Sequence, residues 1–139
     1  MEQTMVQKLV KDYMTKKSNL VTFLPNDTIY QVITILIKKS ISGAPVITEE
    51  GQLAGIISEK DCLKVLMEMA MHKVPGGHVD KYMSSQVQTV EQNRSIIDVV
   101  EMFQNSHFRR FPVVEGDKLV GIISRRDILR AIKEVGGFK

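Results

Sequence analysis

Ser58 and Asp61 stand three residues apart, directly after Gly55-Ile56-Ile57, and the pattern returns as Gly121-Ile122-Ile123-Ser124 with Asp127. A hydroxyl followed three residues later by a carboxylate, at the junction of an apolar run and a helical stretch, supports two chemistries. The pair closes a capping box at a helix start. It also presents a carboxylate that can accept both hydroxyls of a cis-diol, at a helix N-terminus where negative charge is favoured. Capping leaves carboxylate lone pairs free, so both roles stay open. The second half adds Arg109, Arg110, Arg125, Arg126 and Arg130. A guanidinium grips an oxyanion through two parallel hydrogen bonds. Strand alternation turns only one of Arg109 and Arg110 to a given face, and the other suits a solvated edge that deters strand pairing. Arg125 and Arg126 open a helix, where the dipole disfavours cations; that placement fits an anionic partner or a plain solvated turn equally.

The remaining reactive side chains make no catalytic set and no metal site. His72 and His78 lack ligand spacing to a thiolate or carboxylate, and His107 reads as a surface residue. No serine, histidine and acid grouping has motif support. Cys62 falls on an apolar helical stripe and reads as a core thiol.

The elements that position these residues occur twice. Ala44-Pro45-Val46-Ile47 returns as Phe111-Pro112-Val113-Val114, and Tyr13-Met14-Thr15 as Tyr82-Met83-Ser84, in unchanged order. A long internal duplication of this kind sets the architecture. Met5 to Tyr13 reads as a short leading helix and Leu20 to Phe23 as an extended segment. Asp27 then caps a helix whose apolar face is Ile29, Val32, Ile33, Leu36 and Ile37. Ala44 to Thr48 and Leu53 to Ser58 form a hairpin. Glu59 to Met71 is a helix with Cys62, Leu63, Leu66 and Met69 on its core stripe. Val74-Pro75-Gly76-Gly77 is a linker. The second series runs through a second short leading helix at Val79 to Met83, an extended Val87 to Val90, and a helix under Asn93 with Ile96, Val99, Val100 and Phe103 inward. It ends with a hairpin of Phe111 to Val114 and Leu119 to Ser124, then a helix with Ile128, Leu129, Ile132 and Val135 inward. The expected fold is α+β, two β-α-β-β-α repeats over residues 8–71 and 79–136 joined by 72–78, with helices covering one sheet face.

At 139 residues and 43% hydrophobic, the chain is long enough for one sizeable core, and two half-length repeats are expected to share their burial. A net charge of +3 with dispersed Lys and Arg falls short of a nucleic-acid footprint. One cysteine excludes an internal disulfide and suits a reducing, cytoplasmic setting. No apolar run is long enough to span a bilayer, and no leader pattern opens the sequence.

Met-Thr or Met-Ser after the leading segment, hydrophobic-Pro-Val in a strand, and Gly-hydrophobic-hydrophobic-Ser-x-x-Asp before a helix, in order and twice, resemble a tandem pair of CBS domains, a Bateman module. The resemblance covers nearly all of residues 8–135. It implies a regulatory module without catalysis or bound cofactor, taking AMP, ADP, ATP or S-adenosylmethionine in clefts between the two repeats. Ser58, Asp61, Ser124 and Asp127 are then ribose residues. The family's basic positions before the proline fall on Arg109 and Arg110, with Arg126 and Lys60 as further phosphate donors. In the first half those positions hold Ser42 and Gly43, which carry no charge. Thr22 and Thr89 fall where the family exposes backbone to adenine, although a threonine there also serves simply as a strand former.

The reading that follows is a sensor that binds an adenosine nucleotide and modulates a partner protein, with no membrane span. The alternatives are a ligand-free dimerisation scaffold and nucleic-acid binding through the arginine cluster. A homodimer is expected, because Leu63, Met67 and Ala70 lie beside the core stripe of their helix and add apolar surface to it.

Overall fold

Both Gly-Ile-Ile-Ser stretches form the second strand of a hairpin that runs straight into a helix. The computed structural model describes residues 8–74 and 76–136. Its elements in chain order are β1 (Thr15–Lys16), α1 (Ile29–Lys39), β2 (Gly43–Ile47), β3 (Leu53–Ser58), α2 (Glu59–Ala70), β4 (Val90–Glu91), α3 (Ile96–Gln104), β5 (Arg110–Glu115), β6 (Lys118–Ser124) and α4 (Arg125–Val135). The expected α+β class and both hairpins are present. The chain divides into two units, one of residues 21–87 and one combining the segment that ends at Leu20 with the chain from Gln88 onward.

In the unit of residues 21–87, β2 and β3 pair antiparallel. Phe23 lies parallel to β2 and bonds to Pro45 and Ile47. On the other edge Ser84 exchanges two hydrogen bonds of 2.9 Å with Ile56. Thr28, not Asp27, caps α1: its Oγ1 accepts from the Gln31 amide at 3.2 Å. Asp27 instead accepts from the Leu24 amide at 2.8 Å and closes the preceding turn. Gln31 decides between them, because only Thr28 has an amide-bearing side chain three residues on to complete a capping box. Ile29, Val32 and Leu36 enter a core with Phe23, Val46, Ile57, Val79 and Tyr82, whereas Ile37 faces outward.

In the other unit the sheet order is β1-β6-β5-β4, with β4 parallel to β5 and the remaining pairs antiparallel. A parallel pair needs a crossover, which α3 supplies. Ser95 caps α3 in place of the expected Asn93, accepting from the Asp98 amide at 3.2 Å. The core gathers Val10, Tyr13, Val90, Ile96, Val99, Phe103, Phe111, Val113, Ile123, Ile128 and Ala131.

The two head segments are therefore exchanged relative to the sequence repeats. Residues 8–16 complete the sheet of the second repeat, and residues 79–84 complete that of the first. The boundaries 8–71 and 79–136 follow the duplication; the packed units do not follow them. The glycines explain how the segments fit. A Cβ on Gly121 would lie 2.5 Å from Thr15 O and 2.7 Å from Met14 Sδ; one on Gly55 would lie 2.5 Å from Ser84 O and 2.8 Å from Met83 Sδ. The Met-Thr and Met-Ser motifs thus seat on the glycine of the other repeat's Gly-x-x-Ser. The expected leading helix is a 3-10 turn at Val10–Asp12 followed by β1, and residues 5–7 of that expectation lie outside the described residues, as does Pro75 of the linker.

The stripe assigned to the core of α2 is corrected. No residue of α2 is buried; Cys62 and Val65 pack against the core, while Leu63, Leu66 and Met69 are more than half exposed. On α4, Ile128 and Ala131 are buried, and Leu129 and Ile132 face outward. Each helix meets its sheet along one narrow line, and an apolar stripe wider than that line is left uncovered.

Candidate functional site

Strand register assembles what sequence separation hides. In the unit containing residues 88–136, Arg110 lies directly opposite Ser124 across the β5–β6 ladder. The Arg125 amide donates to Arg109 O at 3.1 Å, and Arg125 Nε donates to Phe108 O at 3.1 Å. The chain entering β5 is thereby tied to the first turn of α4. Arg109, Arg110, Arg125 and Arg126 are all exposed at this junction, and Arg109 and Arg126 form no ion pair among the described residues.

Asp127, in the same first turn of α4, is 6% exposed. Asp127 Oδ2 accepts from the Ser124 amide at 2.8 Å, and Ser124 Oγ accepts from the Asp127 amide at 3.2 Å, so the capping box is closed. Asp127 Oδ1 pairs with the Arg130 guanidinium, whose Nη2 also donates to Tyr13 O at 3.0 Å. Burying a charge is costly unless it is paired and hydrogen-bonded, and both conditions hold here.

The unit of residues 21–87 repeats the design with weaker donors. Gly43 lies opposite Ser58, and the Glu59 amide donates to Ser42 O at 2.8 Å. Asp61 Oδ2 accepts from the Ser58 amide and hydroxyl, each at 2.9 Å. Lys64 Nζ stands 3.5 Å from Asp61 Oδ1 and donates to Tyr82 O at 3.2 Å. Where the arginine-rich copy carries four cations, this junction carries Ser42, Gly43, Glu59 and Lys60. Gly43 is held small: a Cβ there would meet Ile57 O at 2.7 Å.

Both Ser-x-x-Asp pairs therefore form the caps, and the structure sorts the expected phosphate residues by unit, Arg109, Arg110 and Arg126 with Asp127 and Lys60 with Asp61. Thr89 is exposed just before β4, which β5 separates from β6; Thr22 is partly buried just before Phe23. The clamping role of Arg130 and Lys64 was not expected, although a cation three residues after each aspartate was a visible signal. Cys62 is partly buried, and desolvation, with Asp61 and Glu59 nearby, pushes its thiol above the usual range, away from a nucleophile's thiolate. A surface depression of about 350 Å³ in the unit of residues 21–87 is lined by Phe23, Asp27, Tyr30, Gln31, Thr34 and Ile35, none from the repeated motifs. Among the described residues no three His, Cys, Asp or Glu side chains are placed to hold a metal ion, and no helix is long and apolar enough to cross a membrane.

One hairpin-and-helix design used twice, with the same capped junction, defines a paired-repeat α+β module. The chain belongs to the CBS-domain family, whose model matches residues 10–68 and 79–134. It is 28% identical to the CBS domain-containing protein CBSX1, chloroplastic, of Arabidopsis thaliana, across 91% of this chain and 64% of that protein. It is 30% identical to the uncharacterized protein MJ1225 of Methanocaldococcus jannaschii, across 84% of this chain and 40% of that one. The chain thus spans less than two thirds of these relatives. Among solved structures it is similar to CBSX2 in complex with AMP, with a TM-score of 0.80 and 28% identity over 92% of this chain and 98% of that one. The CBS pair of MJ0100, in complex with 5'-methylthioadenosine and S-adenosyl-L-methionine, gives a TM-score of 0.71 at 28% identity over 93% and 98%.

Proposed function

We propose that this chain is a regulatory sensor that binds an adenosine nucleotide at the Ser124–Asp127 junction and acts on a partner protein. The observation that carries it is the gathering of Arg109, Arg110 and Arg126 at the junction that also holds the buried Asp127 carboxylate. A cis-diol and a phosphate are the two groups that a carboxylate and a fork of guanidinium donors recognise together. The AMP complex of CBSX2 supports the same reading. Asp127 and Ser124 take the ribose, the arginines take the phosphate, and Thr89 borders the base. The Ser58–Asp61 junction, with only Lys60 as a phosphate donor, is the weaker site; Thr22 borders its base. The role is regulatory and not catalytic, and the single thiol suits a cytoplasmic setting. Calorimetry with AMP tests the site. Replacing Arg109 and Arg126 together with alanine weakens AMP by about 10-fold or more, since each lost charge-assisted bond is worth about 1.5 kcal/mol or more. Equal affinity in wild type and double variant defeats the proposal.

The outward face of α2 supports a homodimer as the working assembly. Leu63, Leu66, Met67 and Met69 are each more than half exposed on one short helix, more apolar surface than a solvated helix ordinarily shows. A twofold pairing covers such a patch on both copies at once. Light scattering at micromolar concentration is expected to report twice the 15.7 kDa chain mass. Met67→Glu shifts that mass toward one chain; a wild-type mass of one chain removes the dimer.

A further inference from the structure

We propose that Arg130 is a positioning residue that couples the Asp127 carboxylate to the docking of residues 8–16, so that ligand binding tightens this segment onto its sheet. The inference rests on the nucleotide reading above. Asp127 Oδ2 is held by the cap, which leaves Oδ1 to be oriented by Arg130 alone. The Arg130 side chain is long and 57% exposed, and on its own helix it is held by its pairing with Asp127. Its second bond, to Tyr13 O at 3.0 Å, anchors it to the head segment.

Tyr13 is the knot of the head segment. Its ring is buried, and its hydroxyl donates to Glu134 Oε2 at 2.8 Å, one turn beyond Arg130 on α4. Burial, then Glu134, raises its phenol above the usual range, so it remains a donor. Two residues on, β1 pairs with β6 at Ile122 and Gly121, immediately before Ser124. The head segment therefore touches the site from both sides, through the strand that ends at Ser124 and through the arginine that orients Asp127. Docked, it presets the carboxylate for a ligand diol. Undocked, Arg130 loses its anchor. Coupling is reciprocal, so whatever prefers the preset carboxylate also favours docking.

The other junction supplies an internal comparison. Lys64 occupies the place of Arg130, but an ammonium is a point charge without a planar fork, and it stands 3.5 Å from Asp61 Oδ1. Tyr82 bonds to Gly76 through its hydroxyl, and it also hydrogen-bonds Glu68 of α2, the counterpart of Glu134, whose carboxyl is held below the usual range first by Tyr82 and then by Lys81. The two tyrosines are thus anchored alike, and the weaker coupling expected at this junction rests on the Lys64 ammonium alone.

Hydrogen–deuterium exchange on the full chain, with and without saturating AMP, tests this, with calorimetry run in parallel. AMP is expected to slow exchange at Val10, Lys11, Tyr13 and Met14 by about 5-fold or more, with a smaller change over residues 79–84. Arg130→Ala removes that protection and weakens AMP, whereas Arg130→Lys restores part of both, an outcome a merely structural role does not produce. The wild-type comparison stands even if Arg130→Ala fails to fold. AMP binding by calorimetry with unchanged exchange over residues 10–14 overturns the coupling and leaves the nucleotide site intact. Wild-type protection that persists in Arg130→Ala overturns the role of Arg130. No AMP heat in the wild type overturns the nucleotide reading and this inference with it.

Discussion

Gly121→Ala is expected to cost about 1–3 kcal/mol through overpacking, and to lower the melting temperature by on the order of 10 °C. The added carbon would stand 2.5 Å from Thr15 O and 2.7 Å from Met14 Sδ. The sulfur can swing away, but the carbonyl belongs to the β1–β6 ladder and moves only if the pairing loosens. Gly55→Ala meets the same obstacle in Ser84 O and is expected to behave alike in its own unit. Exchange over residues 10–16 should rise in Gly121→Ala and stay unchanged in Gly55→Ala. A Gly121→Ala protein that melts with the wild type shows that Met14 and Thr15 do not rest on this glycine.

Asp127→Ala is expected to weaken AMP by about 10- to 150-fold, the equivalent of losing roughly 1.5–3 kcal/mol of hydrogen bonds to a charged group. The same substitution removes half of a capping box, at about 1 kcal/mol, and leaves Arg130 with only the Tyr13 carbonyl. Asp127→Asn separates the two contributions. An amide oxygen can still accept from the Ser124 amide, so most of the cap survives, while the charge that pairs with Arg130 is gone. The asparagine variant should therefore melt closer to wild type than the alanine variant, yet bind AMP almost as poorly. Asp61→Ala should change AMP affinity less than either. If the alanine variant melts early and binds AMP normally, the carboxylate serves as a cap alone.

Short-range features were legible in the sequence because short-range physics sets them. The hairpins follow from alternating apolar residues around Gly51 and Gly116, and the caps at Ser58 and Ser124 from the spacing to Asp61 and Asp127. Cap placement slipped at Asp27 and Asn93, where several capping residues crowd together; at Thr28 the Gln31 side chain decides by completing a capping box. Periodicity found the apolar stripes of α2 and α4, but a stripe carries no record of what covers it, and Leu63 and Leu66 face outward. The exchange of head segments was hidden for a deeper reason. Tyr13-Met14-Thr15 and Tyr82-Met83-Ser84 are near-copies, so each suits either sheet, and local pattern cannot choose the partner. At the site, the register that sets Arg110 opposite Ser124 followed once the hairpin was placed. The clamps by Arg130 and Lys64 each involve a carbonyl from an exchanged segment, and sequence distance concealed them.

That exchange also orders events during synthesis. The partners of the Phe23 core, from Ile29 to Tyr82, all lie within residues 21–87 and are complete as soon as that stretch has left the ribosome. Tyr13, made earlier, meets Glu134 only 121 residues later. Closing so long a loop is slow relative to local pairing, and domains form as units while the chain is still growing. The first residues of the described chain are thus among the last to find their place, and until then their apolar side chains are the part of the nascent protein that a chaperone would meet.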